Sequence, residues 1–257
     1  MNYLDLFHGI GGFALGAYWS GMKFKNHYCS DIEPYTQELY KLRFPESIQL
    51  GDITKIKTED LPDGEWIITG GFPCQDISIA GKGAGLDGKK SGLWFDYARI
   101  IGNLRPRYAI MENVGELIRR GMEQVLGSLA EVGYNAEWGN IPASSIGACH
   151  KRERYWIIAY PTGKRWNSMV KEIENECSGI NTKMFDEVQR CFIASNMDVE
   201  PDFSQAVNNI HRNDDGLPEG MDRFKGLGNA IVPQIAELLF KRIKYLLESE
   251  PRKASQS

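Results

Sequence analysis

The fold is decided by one stretch near the N-terminus, Asp5-Leu6-Phe7-His8-Gly9-Ile10-Gly11-Gly12-Phe13. It joins a short apolar run, Tyr3–Phe7, to a helical pattern that starts at about Phe13. The three glycines let the backbone turn sharply and approach a ligand closely, with a helix N-terminus behind the turn. A strand, a glycine-rich turn and a helix in this order indicate the start of a nucleotide-binding α/β fold.

Strand-like and helical runs alternate through the first two-thirds of the chain. Continuous apolar runs, typical of strands covered on both faces, occur at Trp66–Thr69, Tyr108–Met111 and Tyr155–Tyr160. Helical patterns fill Leu93–Leu104 and Gly121–Val132. This alternation predicts an α/β protein with a doubly wound, Rossmann-like sheet.

Two acids follow the next strand-like runs. Asp31 comes after His27–Ser30, about 20 residues beyond the glycine turn, where an acid commonly holds ribose hydroxyls. Asp52 follows a third apolar run and precedes Ile53, a position from which it would meet an adenine edge. Together with the glycine turn, these acids predict a nucleotide-type cofactor.

Three further polar motifs lie at ends of predicted strands. Cys74 stands within Gly70–Ser78, and Glu112 follows the run that ends at Met111. The basic segment His150–Arg154 precedes the last apolar run. Ligands of open α/β sheets bind at the carboxyl ends of strands, so Cys74 and Glu112 are expected at the functional edge. A buried thiol, a helix-capping acid and a solvated charge run are the alternative interpretations.

In this order the motifs resemble those of the C5-cytosine DNA methyltransferase family. The resemblance covers residues 1–160 and 223–247 and implies the mixed sheet of the S-adenosylmethionine-dependent methyltransferase fold, with S-adenosyl-L-methionine as cofactor. The matching segments are Asp5–Phe7 with its glycines, Pro73–Gln75, Glu112–Val114, Arg152–Arg154 and Gly228–Pro233.

The resemblance also implies roles for individual residues. Cys74 would add to carbon 6 of cytosine, Glu112 would hold ring N3, and Arg154, with Arg152 nearby, would hold the base O2. Phe7 would pack on the adenine of the cofactor. The predicted cofactor contacts are Phe7, Gly9, Gly11, Gly12, Asp31, Ile32, Asp52, Ile53, Pro73, Asn229 and Ala230, and the predicted DNA contacts are Gln75, Ser78, Lys82, Lys89 and Lys90.

Three features depart from the family pattern. His150 stands where the family usually has glutamine, and no Pro-Arg-Glu-type motif precedes the last helix, although Arg223 would serve part of its role. The third departure is a short, acidic insert. We expect a catalytic domain at 1–160, a small target-recognition insert at 161–222, and a C-terminal segment at 223–257 whose helix, from about Val232 to Leu247, returns to the catalytic domain.

Charge is unevenly distributed along the chain. The total is −4, but residues 82–165 carry +5 and 223–257 carry +4, around a segment at 166–222 that carries −8. The two basic blocks are a plausible phosphate-binding surface. The charge pattern is compatible with double-stranded DNA, the partner that the resemblance implies, and we expect a monomeric protein.

Composition excludes several other classes. A content of 42% hydrophobic and 25% charged residues is ordinary for a globular protein. No apolar run reaches the roughly 18–20 residues needed to cross a bilayer, and the N-terminus does not resemble a signal peptide, so we expect a cytoplasmic protein. Five widely spaced cysteines favour neither disulfides nor a zinc site, and no metal is expected.

Two other functions stay open at this point. The same chemistry could act on RNA, which a short recognition insert would allow. A non-catalytic homologue could retain the fold and hold DNA or cofactor without turnover. A nicotinamide dehydrogenase would explain the glycine turn but not Pro73-Cys74-Gln75.

Overall fold

The computed structural model of the protein describes residues 1–73, 92–146, 152–163 and 231–249. The strands are β1 (Asn2–Leu6), β2 (Asn26–Ser30), β3 (Ile48–Gln49), β4 (Trp66–Gly71), β5 (Tyr108–Asn113), β6 (Tyr134–Asn140) and β7 (Tyr155–Pro161). The helices are α1 (Gly12–Trp19), α2 (Pro34–Arg43), α3 (Leu93–Leu104), α4 (Glu116–Arg120), α5 (Met122–Glu131) and α6 (Pro233–Ser249). Short 3-10 turns cover Ile53–Lys55, Thr58–Asp60 and Ala143–Ile146.

The seven strands form one mixed sheet in the order β3-β2-β1-β4-β5-β7-β6. Strands β1 to β5 pair in parallel, whereas β7 runs antiparallel to both of its neighbours, β5 and β6. The prediction of a doubly wound mixed sheet is confirmed. Strand β1 pairs with β2 on one side and β4 on the other, so the turn that follows it lies near the middle of the carboxyl edge.

The sheet separates two hydrophobic cores. One core contains α1, α6 and one set of strand residues, including Tyr3, Ile67, Ile110 and Trp156. The other contains α3, α5 and the opposite set, including Leu4, Ile68, Met111 and Ile157. Because adjacent residues of a strand point to opposite faces, continuous apolar runs supply both cores at once.

Helices α1 and α6 approach each other closely because α1 carries a glycine at the contact. A Cβ built on Gly16 would lie 2.5 Å from the carbonyl oxygen of Pro233 and 2.6 Å from the Ala236 Cβ. One turn earlier, a Cβ built on Gly12 would lie 2.6 Å from the carbonyl oxygen of Ile231. The chain just before α6 therefore packs against the first residue of α1, beside the glycine turn.

A fully buried acid lies beneath the glycine turn. Asp5 accepts hydrogen bonds from the Thr69 hydroxyl at 2.8 Å, from the Tyr40 hydroxyl at 2.9 Å and from the backbone N–H of Ala14. Burial raises the pKa of Asp5 to about 7, although these three donors favour the charged form. The bonds join β1 to β4, to α2 and to the start of α1, and so fix the base of the turn.

Several sequence predictions fall on residues that the structure does not describe. The acidic insert, most of the stretch that contains Cys74, and the residues just before Ile231 belong to this group. Cys29 is a free cysteine buried in the core around α1. No helix within the described ranges is both long enough and apolar enough to span a membrane.

Candidate active site

The glycine turn after β1 has an unusual backbone. Phe7 has a φ of 51° and Gly11 a φ of 86°, both in the left-handed region that side chains rarely adopt. A Cβ on Gly11 would also lie 2.7 Å from the Phe44 ring, so this position requires glycine. A bulky residue in the left-handed region stores strain, and such strain is concentrated at ligand-binding sites. The turn therefore has the geometry of a binding loop with Phe7 at its start.

Asp31 is connected directly to the glycine turn. Its Oδ2 accepts a hydrogen bond from the backbone N–H of Gly9 at 2.9 Å, and its Oδ1 accepts one from Glu33 N–H at 3.0 Å. The next residue, Ile32, is 66% exposed. An oriented carboxylate beside an exposed apolar side chain suits a ribose with its attached base.

Asp52 and Ile53 form the third part of this edge. Asp52 Oδ1 accepts hydrogen bonds from the backbone N–H of Thr54 at 3.0 Å and from its hydroxyl at 2.8 Å, which lowers the pKa of Asp52. The side chain thus caps the 3-10 turn that Ile53 begins. Ile53 itself is 3% exposed and packs in the core around α3.

These residues fit a nucleoside cofactor. The turns after β1 and β3 leave open space, since a Cβ built on Gly9 or on Gly51 would meet no atom within 4 Å. Asp31 and the exposed Ile32 directly follow β2, and Asp52 follows the neighbouring strand β3. Ribose hydroxyls and an adenine need hydrogen-bond acceptors and an apolar surface of this kind.

On the other side of β1, an ion pair between a buried glutamate and a partly exposed arginine joins β5 to the residue just before β7. Arg154 Nε lies 2.9 Å from Glu112 Oε1, and the Glu112 side chain is 9% exposed. A Cβ built on Gly71 would lie 3.4 Å from Glu112 Oε2, so the second oxygen faces the end of β4. The two predicted catalytic residues Glu112 and Arg154 are therefore in direct contact.

Burial decides the protonation of Glu112. It raises the pKa of Glu112 to about 7, while the positive charges of Arg154 and Arg152 act in the opposite direction. Burial, and then the nearby Arg154, lower the pKa of the Arg152 guanidinium. A carboxyl group with a pKa near neutrality can give or take a proton under physiological conditions.

The strand that leads into Cys74 is fixed by an amide whose role the sequence analysis did not predict. Asn113 Nδ2 donates a hydrogen bond to the carbonyl oxygen of Phe72 at 2.9 Å, and Asn113 is buried. Pro73, a predicted cofactor contact, is the last described residue of this segment and is exposed. In the sequence, the only indication of this contact is that Asn113 directly follows Glu112.

His8 is a second residue that the sequence analysis did not single out. Its Nδ1 lies 2.7 Å from the Gly9 carbonyl oxygen, and its ring lies 4.0 Å from the Tyr40 ring. Burial lowers the pKa of His8. A neutral histidine thus supports the turn from beneath.

Cys74, Gln75, Ser78, Lys82, Lys89, Lys90, Asn229 and Ala230 lie outside the described ranges. Ile231, which follows Ala230, packs on Gly12 and also approaches Gly71. Among the described residues, no group of three or more His, Cys, Asp or Glu side chains is arranged to hold a metal ion.

Comparison with known proteins agrees with this geometry. Residues 1–215 match the family model described as C-5 cytosine-specific DNA methylase. The chain is 38% identical to the type II methyltransferase M1.ScrFI of Lactococcus lactis subsp. cremoris over 161 residues, which are 61% of this chain and 41% of that protein. It is 27% identical to the type II methyltransferase M.HhaI of Haemophilus parahaemolyticus over 268 residues, covering 98% of this chain and 80% of that protein.

Solved structures show the same fold. The Dnmt2 methyltransferase of S. pombe aligns with a TM-score of 0.56 at 21% identity, covering 66% of this chain and 54% of the other. A DNMT2 mutant of Spodoptera frugiperda aligns with a TM-score of 0.54, also at 21% identity, over 66% of this chain and 53% of the other.

The strand order and these structural neighbours place the chain in the fold class of the S-adenosylmethionine-dependent methyltransferases. Within that class, the chain belongs to the C-5 cytosine-specific DNA methylase family. The family predicted from the sequence motifs is confirmed.

Proposed function

We propose that this chain transfers a methyl group from S-adenosylmethionine to carbon 5 of a cytosine in double-stranded DNA, with Cys74 as covalent nucleophile. One observation carries the proposal. A buried glutamate whose pKa is about 7 is held by an arginine at the carboxyl edge of the sheet, facing the end of the strand that leads into Pro73-Cys74. Family membership supports the same chemistry.

The reaction needs an activated base because carbon 5 of cytosine is a poor nucleophile. The Cys74 thiolate adds to carbon 6 and moves electron density toward carbon 5. Protonated Glu112 donates a hydrogen bond to ring N3 and stabilises the charge that develops there. Once carbon 5 carries the methyl group, its proton passes to solvent water and elimination releases the Cys74 thiolate. Asn113 holds the backbone before Cys74 and so supports the position of the nucleophile.

The arginines orient both the base and the glutamate. Arg154 fixes Glu112 through Nε and has further donors for the base O2. Backbone hydrogen bonds from Ile141 to the Arg154 carbonyl and from Ala143 to the Arg152 carbonyl hold this segment in place. The positive charge of both guanidinium groups favours a thiolate nearby.

S-adenosylmethionine, when bound, supplies the electrophilic methyl group. Phe7 and Ile32 would form the apolar surface around its adenine, with the backbone of the buried Ile53 beside them, and Asp31 would accept hydrogen bonds from its ribose. Asp52 would meet the adenine edge. Gly9, Gly11, Gly12 and Pro73 would allow close approach of the backbone, with Asn229 and Ala230 completing the pocket.

The target atom lies inside the duplex, so the base must be extruded. We propose that Gln75, Ser78, Lys82, Lys89 and Lys90 contact the DNA, and that the basic block at 82–165 supplies most phosphate contacts. We also expect the protein to act as a monomer.

A methyl-transfer assay tests the proposal. Tritiated S-adenosylmethionine should label duplex DNA but not tRNA, which separates this function from methylation of RNA. Cys74→Ala should abolish transfer while binding of S-adenosylhomocysteine is retained. DNA containing 5-fluorocytosine should trap a covalent complex that survives denaturing electrophoresis, and the alanine variant should form none. Labelling of tRNA alone, or equal activity of the variant, would contradict the proposal.

A further inference from the structure

Arg99, on α3, holds the turn that carries Asp52 and Ile53. Its Nη1 donates a hydrogen bond to the Ile56 carbonyl oxygen at 3.1 Å, and its Nη2 donates one to the Ile53 carbonyl oxygen at 3.3 Å. Both acceptors belong to the 3-10 turn at Ile53–Lys55 and the residue that ends it. The guanidinium therefore bridges two carbonyls across one short turn.

Asp96 fixes the orientation of this guanidinium. Its Oδ1 lies 3.1 Å from Arg99 Nη2 and 3.3 Å from Arg99 Nε, one turn earlier on α3. Hydrogen bonds from a charged donor are roughly twice as strong as neutral ones. A planar guanidinium with several donors in a fixed fork can serve two carbonyls and a carboxylate together, which a lysine cannot do.

The turn is thus fixed at both ends. Asp52 caps its start through Thr54, and Arg99 holds the carbonyl of its first residue, Ile53, and that of Ile56, which ends it. The buried side chains of Ile53 and Ile56 attach the turn to the core around α3. The polar contacts then set the orientation of its backbone. Small rotations of the turn would move the Asp52 carboxylate relative to the neighbouring strand ends.

We infer that Arg99 is a positioning residue for cofactor binding, because it sets the turn that presents Asp52 and the Ile53 backbone to the adenine. The inference rests on the proposed function, since it assumes that this edge binds S-adenosylmethionine. Arg99 acts on the turn after β3, where the cofactor is proposed to bind. Glu112 and Arg154 lie at β5 and β7, beyond β4 in the strand order, where the flipped base is proposed to bind. Loss of Arg99 should weaken cofactor binding and leave the chemical step unchanged.

The chain offers a matched control on the same helix. Asn103, one turn beyond Arg99, donates a hydrogen bond to the Thr58 hydroxyl at 3.0 Å. It therefore ties α3 to the same loop, but at a point beyond the turn that carries Asp52. Asn103→Ala removes a contact of similar kind without releasing Ile53 or Ile56.

The test compares Arg99→Met, Arg99→Lys and Asn103→Ala by calorimetric titration with S-adenosylhomocysteine. Arg99→Met should weaken binding by about tenfold or more, the loss expected for hydrogen bonds from a charged group. Arg99→Lys should be intermediate, and Asn103→Ala should bind like the parent. Steady-state assays should show a raised KM for S-adenosylmethionine, with kcat and the affinity for duplex DNA unchanged.

The outcomes separate this inference from the proposed function. If the parent protein does not bind S-adenosylhomocysteine, the proposed function fails. If the parent binds it and Arg99→Met binds equally well, the inference fails. Thermal unfolding of each variant identifies a general loss of structure. If Arg99→Met is destabilised in this way, Asp96→Asn serves instead, because it keeps the Arg99 charge but loosens its orientation. Asp96→Asn should still raise the KM for S-adenosylmethionine selectively. An equal loss of cofactor affinity, DNA affinity and kcat would overturn a positioning role.

Discussion

Glu112 Oε1 and Arg154 Nε lie 2.9 Å apart at the junction of two antiparallel strands. Glu112 is near the end of β5 and pairs in register with Trp156 of β7, so Arg154 emerges from the same edge just before β7 begins. The Glu112 side chain is buried, and its burial outweighs the two arginines in setting the pKa of Glu112. The contact with Arg154 therefore fixes the position of the candidate acid, while burial sets its protonation.

The pH dependence of catalysis should reveal Glu112. With the pKa of Glu112 at about 7, its protonated form is lost as the pH rises through neutrality, so kcat/KM should fall there. Glu112→Gln keeps a hydrogen-bond donor but cannot titrate. We expect this variant to lose about 100-fold or more in rate and to lack the fall near neutrality. A parent profile that stays flat from pH 6 to about 8, where the group changes charge, would contradict the assignment.

Replacement of Arg154 should move the same titration. A nearby positive charge lowers the pKa of an acid, so Arg154→Met should raise the pKa of Glu112 and shift the falling limb of the profile to higher pH. Arg154→Lys keeps the charge but not the Nε geometry. Its kcat/KM should therefore fall over nearly the same pH range as in the parent, while its rate is lower. Identical limbs in the parent and the methionine variant would show that the ion pair does not control this proton.

Much of the fold was predictable because both faces of the sheet are covered. Continuous apolar runs correctly located β4, β5 and β7, and the amphipathic pattern gave α3 its observed bounds, Leu93–Leu104. Strand β6 was not predicted. It lies at the sheet edge, where its sequence Tyr134–Asn140 mixes polar residues with a 42% exposed Trp138, and such a pattern carries little strand signal.

The site was predictable in composition but not in its contacts. Asp31 was predicted to follow the second strand. It contacts the glycine turn there because the carboxyl ends of parallel strands share an edge. The ion pair between Arg154 and Glu112 was not foreseen, since the sequence cannot specify which acid a basic run will meet across an antiparallel pair. The same limit applies to Asp5, whose partners Thr69 and Tyr40 are distant in sequence.

Asp31 should contribute to cofactor affinity in two ways. Its carboxylate is expected to accept ribose hydroxyls, and it also holds the Gly9 N–H of the turn. Loss of charge-assisted hydrogen bonds costs about 1.5–3 kcal/mol, so Asp31→Ala should weaken S-adenosylhomocysteine binding by roughly 10- to 150-fold. The exposed Asp63 provides a control, since Asp63→Ala should have no effect. Unchanged affinity in the Asp31 variant by calorimetry would mean that the ribose lies elsewhere.

The buried Asp5 should make stability depend on pH. Its pKa is about 7 in the folded protein and about 3.9 in an unfolded chain, so between these values the folded state binds more protons. The free energy of unfolding should therefore fall as pH rises through this window, by at most about 1.4 kcal/mol per pH unit from this residue. The contribution should level off above the folded pKa.

Asp5→Asn removes that titration and should flatten the dependence. The measurement is urea unfolding of both proteins at several pH values between about 5 and 8. Glu112, with a pKa also near 7, adds a similar pH dependence to the free energy of unfolding. The slope of that free energy against pH should therefore be about half as steep in the variant as in the parent. Equal slopes for the parent and the variant would show that Asp5 does not titrate in this range.

The close contact between α1 and α6 should link stability to the cofactor site. Gly16→Ala places a methyl group within 2.6 Å of backbone and side-chain atoms of α6, so the helices must separate. Overpacking of this kind costs about 1–3 kcal/mol in the free energy of unfolding. Gly127 in α5 is the matched control, because a Cβ there meets no atom within 4 Å. Gly127→Ala should stabilise the protein by about 0.5–1 kcal/mol through helix propensity alone.

The effect of Gly16→Ala should extend to ligand binding. Displacement of α6 pulls Ile231 away from Gly12, at the side of the glycine turn, so S-adenosylhomocysteine should bind more weakly to this variant and normally to Gly127→Ala. Chemical unfolding and calorimetric titration measure the two effects separately. If both alanine variants were stabilised alike, α6 would not pack on α1 as described. If Gly16→Ala were destabilised but bound S-adenosylhomocysteine normally, the segment before α6 would take no part in the cofactor pocket.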